Sequence, residues 1–276
     1  MNPFVSIIIP TFNVETKLEA SLRSVLEAQM PFENFEVLIV DGASTDETVS
    51  IAREWAERET RIQIWSQGDS GIYDAMNRGI ARSKGSYLYF LGAGDLLRPG
   101  VLEKVAMALE KESLKTAKPI LLYGDIWWDD LKFVSGGPFS QWRITTTCPN
   151  HQTMFTAREI FDLKGGFDLK YPIAADYDFH IRCFGDSQIR TVHLPLVVAD
   201  YEGGGKSSAA RDEAFLRDLP RLVSRHFSLP VSVAYRMRRA MPKSIKSWGA
   251  PLMHKLGWMP DKRIAQAAET SPETLQ

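Results

Sequence analysis

Two hydrophobic periods alternate along the first part of the chain. Val5–Ile9 is an apolar run stopped by Pro10, and Phe35–Val40 is a second, ending at Asp41. Short apolar runs without polar alternation predict strands covered on both faces. Leu18, Leu22, Val25 and Leu26 recur between them at helical spacing. Ser44-Thr-Asp-Glu47 has the form of a capping box, with Ser44 as cap and Glu47 reaching back, and predicts a helix through Ile51, Ala52 and Trp55. Ile62–Trp65 predicts a third strand. Ile72, Ala75, Met76, Gly79 and Ile80 share one helical face, and Tyr87–Leu91 is a short, aromatic, apolar strand. Leu102, Val105, Ala106 and Leu109 form the next stripe. This alternation predicts an α/β fold with a mostly parallel central sheet, right-handed crossovers and flanking helices.

The rhythm changes after Ile120–Gly124, a strand followed by Asp125. Residues 127–147 are irregular, aromatic and broken by Gly136-Gly-Pro138, a composition suited to hairpins and a binding wall. Helices are expected over 157–163, 174–184 and 208–226, and one or two strands over 191–201. Beyond Pro230 a basic segment carries scattered Trp, Met and Leu, and a polar tail follows from about Ala265. There are no internal repeats.

Composition narrows the class. The net charge of −1 over 276 residues makes the whole chain no obvious partner for nucleic acid. Charge is unevenly placed, however: Arg221 to Arg263 holds ten Lys or Arg against one acid, Asp261. Cys148 and Cys183 are too few for a disulfide framework or a zinc site, as expected of a reduced, cytoplasmic protein. The amino-terminal run reads as a strand and not a leader, and no apolar stretch reaches the roughly 20 residues needed to span a bilayer.

Asp41, Asp95 and Asp125 follow predicted strands, and the carboxyl ends of parallel strands share the rim where open α/β sheets bind ligands. Such a rim suits a nucleoside diphosphate, Asp41 accepting from a base or ribose and Asp95 holding a divalent cation. No phosphate-binding loop of the Gly-x-x-x-x-Gly-Lys type and no dinucleotide fingerprint after the first strand is present.

Val5-Ser-Ile-Ile-Ile-Pro-Thr-Phe-Asn13, Val40-Asp-Gly-Ala-Ser-Thr-Asp-Glu-Thr48, the 71–80 helix and Phe90-Leu-Gly-Ala-Gly-Asp95 resemble the nucleotide-sugar half of family 2 glycosyltransferases. His151-Gln-Thr-Met-Phe155, Gly165-Gly-Phe-Asp168 and Ala174-Ala-Asp-Tyr-Asp178 resemble the acceptor half, so the resemblance spans about residues 4–210. It lies closest to the bacterial branch that builds surface polysaccharides of O-antigen and colanic-acid type. It implies a GT-A fold over residues 1–220, with a nucleotide-sugar half (1–115) and an acceptor half (116–220), and leaves 221–276 as a basic helical extension and tail. The implied activity is inverting transfer of a sugar from a nucleotide-diphosphate donor to a hydroxyl of a lipid-linked glycan. Pro10, Phe12 and Asn13 would frame the nucleotide, Asp41 would touch base or ribose, and Asp176 would be the general base. Asp95 is the remaining acid of the metal-binding DXD motif, for Mn²⁺ or Mg²⁺. Gly92 and Gly94 stand where relatives carry polar or acidic residues, so metal-dependent and metal-independent chemistry both stay open. Gly42 likewise replaces an acid.

Each candidate has a plainer alternative. Asp95 could cap the helix beginning near Pro99. Asp178 rivals Asp176 as base. His151 reads as a structural histidine beside the acceptor side of the site. Trp127, Trp128 and Trp142 could stack on an acceptor sugar or fill core. Asp74 and Asn77 could reach the donor sugar or only water. Lys206, in Gly203-Gly-Gly-Lys-Ser-Ser208, could touch the diphosphate from a lid. Val233, Met237, Trp248, Leu252, Met253, Leu256 and Trp258, interleaved with cations, suggest peripheral contact with the cytoplasmic membrane face. A non-catalytic partner of the same fold and, less favoured, a sugar-phosphate nucleotidyltransferase are the rival functions.

Overall fold

The computed structural model describes residues 3–203 and 211–241. The periodicity of the first ninety residues is realised as four parallel strands. β1 (Val5–Thr11), β2 (Phe35–Asp41), β3 (Ile62–Ser66) and β4 (Tyr87–Phe90) lie in the order β3-β2-β1-β4. The crossovers are α1 (Leu18–Leu26), α2 (Thr48–Arg58) and α3 (Ile72–Arg82). Because side chains alternate along a strand, the sheet sorts its apolar residues into two layers. Ile8, Leu38, Leu88 and Phe90 face one core, which α3 enters with Tyr73, Ala75 and Met76. Ile7, Ile9, Val37, Ile39 and Tyr89 face the other, filled by α1, by Ala52 of α2, and by Val101, Leu102 and Val105 of α4 (Val101–Ser113).

Gly79 shows how closely α3 lies on the sheet. A Cβ added there would sit 2.5 Å from Ile8 Cγ2, which is why a glycine is accepted in a helix interior despite its cost of about 1 kcal/mol against alanine.

Past β4 the sheet becomes mixed. β8 (Met154–Ala157) runs antiparallel to both β4 and β6 (Ile120–Trp128), and β9 (Arg190–Tyr201) runs parallel to β6. β5 (Leu96–Leu97) pairs antiparallel with the end of β9, and β7 (Phe133–Ser135) makes a hairpin with β6. This second half carries α5 (Gln141–Ile144), α6 (Arg158–Lys164), α7 (Ala175–Phe184), α8 (Glu213–His226) and α9 (Leu229–Ala240).

Three expectations are corrected. Ile72 is exposed and Tyr73 buried, because the Tyr73 hydroxyl is drawn inward to the Ile173 carbonyl and Asp176. Ser44 does not cap α2, whose first residue is Thr48; its hydroxyl instead donates to Asp41 Oδ1 and accepts from the Asn13 N–H. Asp125 lies within β6, not after it, at a register irregularity where it binds His193 Nε2 and the Gly137 N–H. α8 runs across residue 220, and its Leu219 and Val223 enter the same core. Lys206 and the segment from Pro242 onward lie outside the described residues.

Candidate active site

Three carboxylates were expected at the rim or across from it, and their hydrogen bonds separate their roles. An ionised carboxylate offers about four lone-pair sites. Asp41 ends β2 in register with Thr11 of β1 and Ser66 of β3. Thr11 Oγ1 and Ser44 Oγ donate to its Oδ1, at 3.1 and 2.5 Å, and the Ser44 N–H and Ser66 Oγ to its Oδ2, at 3.0 and 2.7 Å. Burial alone would raise its pKa, but these hydroxyls and the amide more than offset it and hold it below the usual carboxylate range. All four sites are taken and the residue is 1 % exposed. Asp41 therefore ties Thr11, Ser44 and Ser66 together at the rim.

Asp95 is different. Oδ2 accepts from Gln152 Nε2 at 2.9 Å and Oδ1 from the Glu202 N–H at 3.2 Å, leaving one open site on each oxygen. It caps no helix, since the residue before α4 is Gly100. Burial raises its pKa, and the Gln152 and Glu202 donors offset only part of that rise.

Asp176 begins α7. Oδ1 lies 2.9 Å from the Tyr73 hydroxyl and 2.8 Å from the Tyr177 N–H, and Oδ2 lies 3.0 Å from His151 Nδ1. The Tyr73 hydroxyl is also 2.7 Å from the Ile173 carbonyl, so its one proton serves either acceptor. One lone pair, on Oδ2, stays open. Burial pushes this carboxyl up, but the His151 hydrogen bond, the His151 and His180 rings and Tyr73 bring it below its ordinary value. It stays ionised, with one lone pair free. Its rival Asp178 is 4 % exposed and paired with Arg182 at 2.8 Å. That guanidinium also binds the carbonyls of Lys164 and Gly166, so Asp178 is a structural tie.

One dipeptide joins the two open acids. His151 binds Asp176 while its neighbour Gln152 binds Asp95. Both stand on a single 3₁₀ turn, His151–Thr153, leading into β8. The acids, 81 positions apart in the chain, are thus held by neighbouring residues of one turn.

The remaining candidates divide. Phe12 is 55 % exposed on the rim, free to cover a base. Pro10 is within β1, and Asn13 clasps the facing loop, its Oδ1 accepting from the Thr45 N–H. Asn77 receives the Phe167 N–H and donates to the Phe167 carbonyl, bracketing α3 against residue 167. Asp74 pairs with Arg78 and accepts from Ser70. Trp127 lies beside the Arg98 guanidinium, 5.8 Å from its ring centre, with Nε1 on Asp129. Trp128 packs on Phe133 and Tyr201.

Sequence reading overlooked four residues. Tyr73 and Gln152 hold the two acids. Asp69 fills the space above Gly42, where a Cβ would lie 2.8 Å from Asp69 Oδ2. Glu202 does the same above Gly94. The only available signal was a glycine where the resemblance implies an acid.

A divalent cation fits this rim. No three ligating side chains converge among the described residues, but Mg²⁺ and Mn²⁺ at phosphates are commonly held by one or two carboxylates, with phosphate oxygens and water completing the shell. Asp95 offers two open lone pairs. His151 Nε2 is buried with no partner among the described residues.

His180, under the site, is 2 % exposed with Cys148 Sγ 3.4 Å from its Nδ1. Burial lowers its pKa from 6.5 to about 4. The unfolded chain takes up this proton below pH 6.5 and the folded chain only near 4, so stability falls as pH falls through that window, by at most about 1.4 kcal/mol per pH unit. Melting curves from pH 7 to 4.5 should flatten in His180→Gln; an unchanged slope would show that another group carries the effect.

A mixed sheet whose amino-terminal half is parallel, flanked by helices, is the GT-A glycosyltransferase fold. The family model "Glycosyl transferase family 2" matches residues 6–130. A PGL/p-HBAD biosynthesis glycosyltransferase of Mycobacterium tuberculosis is 40 % identical over 224 residues, 79 % of this chain and 84 % of that protein. The chain belongs to glycosyl transferase family 2. Among solved structures, S. aureus TarS 1–349 in complex with UDP aligns with TM-score 0.64 at 19 % identity, over 82 % of this chain and 65 % of that one. The mannosyltransferase PcManGT from Pyrobaculum calidifontis, in complex with GDP-Man and Mn²⁺, aligns with TM-score 0.58 at 18 % identity, over 94 % of this chain and 82 % of that one.

Proposed function

We propose that the protein transfers a sugar from a nucleoside-diphosphate donor to a hydroxyl of a lipid-linked glycan, with inversion at the anomeric carbon. The observation that carries this reading is that the neighbouring residues His151 and Gln152 hold Asp176 and Asp95, each acid keeping at least one lone pair open. In it, Asp176 Oδ2 takes the acceptor hydroxyl's proton as oxygen attacks, and the sugar–phosphate bond breaks on the opposite face. His151 fixes the base, and Tyr73 holds its other oxygen. Asp95 would hold the divalent cation, which neutralises charge on the leaving diphosphate. One displacement inverts the centre and requires no enzyme nucleophile. The UDP and GDP-Man complexes of the structural neighbours support the donor class, and the mycobacterial relative, named a PGL/p-HBAD biosynthesis glycosyltransferase, supports glycosyl transfer as the reaction.

The membrane side of the reading has its own support. Leu229, Val233, Met237 and Met241 are exposed at four-residue intervals along α9 and its end. That helix carries Arg236, Arg238 and Arg239 and no acid, a pattern that suits an interface with anionic lipid. No helix among the described residues is long and apolar enough to cross a membrane.

One experiment tests the whole reading. The protein is mixed with UDP- and GDP-sugars and anionic vesicles bearing a bacterial lipid extract, and the sedimented lipid is analysed for added sugar. Sugar should enter the lipid with anomeric configuration opposite to the donor's by proton NMR. Retained configuration, or transfer only to water, would contradict it.

A further inference from the structure

Position 94 is a glycine whose missing side chain leaves no empty space. Its backbone has φ +110°, a conformation side-chain-bearing residues rarely adopt. A Cβ there would lie 2.8 Å from Glu202 Oε2 and 3.1 Å from Lys17 Cδ. Sheet register explains why. β5 pairs antiparallel with β9 as Leu96↔Asp200 and Leu97↔Ala199, and continuing that register sets 202 opposite 94. The Glu202 N–H then donates to Asp95 Oδ1 at 3.2 Å, and its carboxylate lies over the 92–95 loop. Lys17 Nζ, from the residue before α1, lies 2.5 Å from Glu202 Oε2.

We infer that Glu202 is the second carboxylate of the cation site, supplied from the far end of the chain where the DXD motif has a glycine, and that Lys17 holds its place when no cation is bound. The inference rests on the nucleotide-sugar reading above. Asp95 brings one negative charge and two open lone pairs; Glu202 brings a second charge to the same loop. Lys17 and Glu202 side chains are 45 % and 50 % exposed, and exposed pairs of this kind contribute little to stability, so a divalent ion displaces the ammonium at small cost. The sheet side of Asp95 is closed by Gln152, the neighbour of His151, whose buried Nε2 has no partner among the described residues. An acid at 92 is shut out as well, since a Cβ there would lie 2.5 Å from Asp95 Oδ2. The donor set is oxygen-rich, which selects Mg²⁺ or Mn²⁺ over softer ions.

The test is an electron paramagnetic resonance titration of free Mn²⁺, with the full chain in the presence of UDP. Glu202→Gln should weaken Mn²⁺ binding at least tenfold while leaving the melting temperature and metal-free UDP affinity unchanged. Lys17→Met should bind Mn²⁺ as tightly as wild type or more tightly, because it removes the competing cation and leaves the carboxylate. Were Glu202 only Lys17's salt-bridge partner, the two variants would behave alike. Wild-type Mn²⁺ affinity in Glu202→Gln, an equal loss in both variants, or no Mn²⁺ bound by wild type overturns the inference. Undiminished transfer in EDTA would overturn this cation site but leave the function standing. A wild type that binds neither UDP nor GDP would instead remove the donor reading itself.

Discussion

Asp176→Asn is expected to lower sugar transfer by about 10²–10⁴-fold, the usual contribution of a positioned general base, with nucleotide affinity unchanged. The amide keeps the shape of the carboxylate. Its oxygen can still accept from the Tyr177 N–H and the Tyr73 hydroxyl, which meet the carboxylate at 2.8 and 2.9 Å. Its nitrogen then faces His151, which answers by taking the other tautomer so that Nδ1 accepts. Folding is therefore kept, and what disappears is the open lone pair that receives the acceptor proton. Steady-state transfer and calorimetric UDP binding should part company: turnover collapses and the dissociation constant does not move. A variant within threefold of wild-type turnover would mean that the proton goes elsewhere.

Asp95→Asn should act at the other end of the cleft. Burial raises the Asp95 pKa, so removing its charge relieves a desolvation cost. That relief offsets the weaker hydrogen bonds left to Gln152 and the Glu202 N–H, and the melting temperature should change little. Nucleotide binding in the presence of Mn²⁺ should fall at least tenfold, because the ion loses a ligand next to the diphosphate, while metal-free binding should be nearly preserved. Asp95→Ala is the harsher variant. It strands two buried donors, at about 1–3 kcal/mol each, and should visibly lower the melting temperature. Superimposable UDP titrations of wild type and Asp95→Asn, with and without Mn²⁺, would place Asp95 outside the site.

The strands and helix faces of the nucleotide-binding half were legible because they are local. Runs such as Val5–Ile9 and Phe35–Val40, and stripes such as Leu18–Leu22–Val25, declare their period within a few residues. What failed locally was the choice between Ile72 and Tyr73 as the inward residue. It is decided by a hydrogen bond across 103 positions, from Tyr73 to Asp176, which no helical period contains. The capping box failed for a related reason: Ser44 had a stronger partner in the buried Asp41 carboxylate than in a helix end.

Within the site, motif resemblance pointed to the rim and to a candidate base but could not grade the acids. Asp41 and Asp95 look alike in sequence, each an acid after an apolar strand. One has four donors around it and the other two. That difference is set by Thr11, Ser44 and Ser66 converging on Asp41, and by Gln152 and Glu202 arriving from the other half. Glu202 was invisible for the same reason, since its contact with Asp95 spans 107 positions. The period-based expectation for α3 also gave Asn77 to the solvent side, where the 165–168 segment in fact covers it.

The central claim is that Asp95 and Asp176 face one another across a cleft that seats the donor between them. A crystal structure of Asp176→Asn with UDP and Mn²⁺ tests it most directly. The diphosphate and metal should lie against the open edge of Asp95, with the side chain at 176 on the far wall of the same cavity beside His151. A nucleotide bound away from residue 95, or a wall of protein separating it from residue 176, would contradict the account.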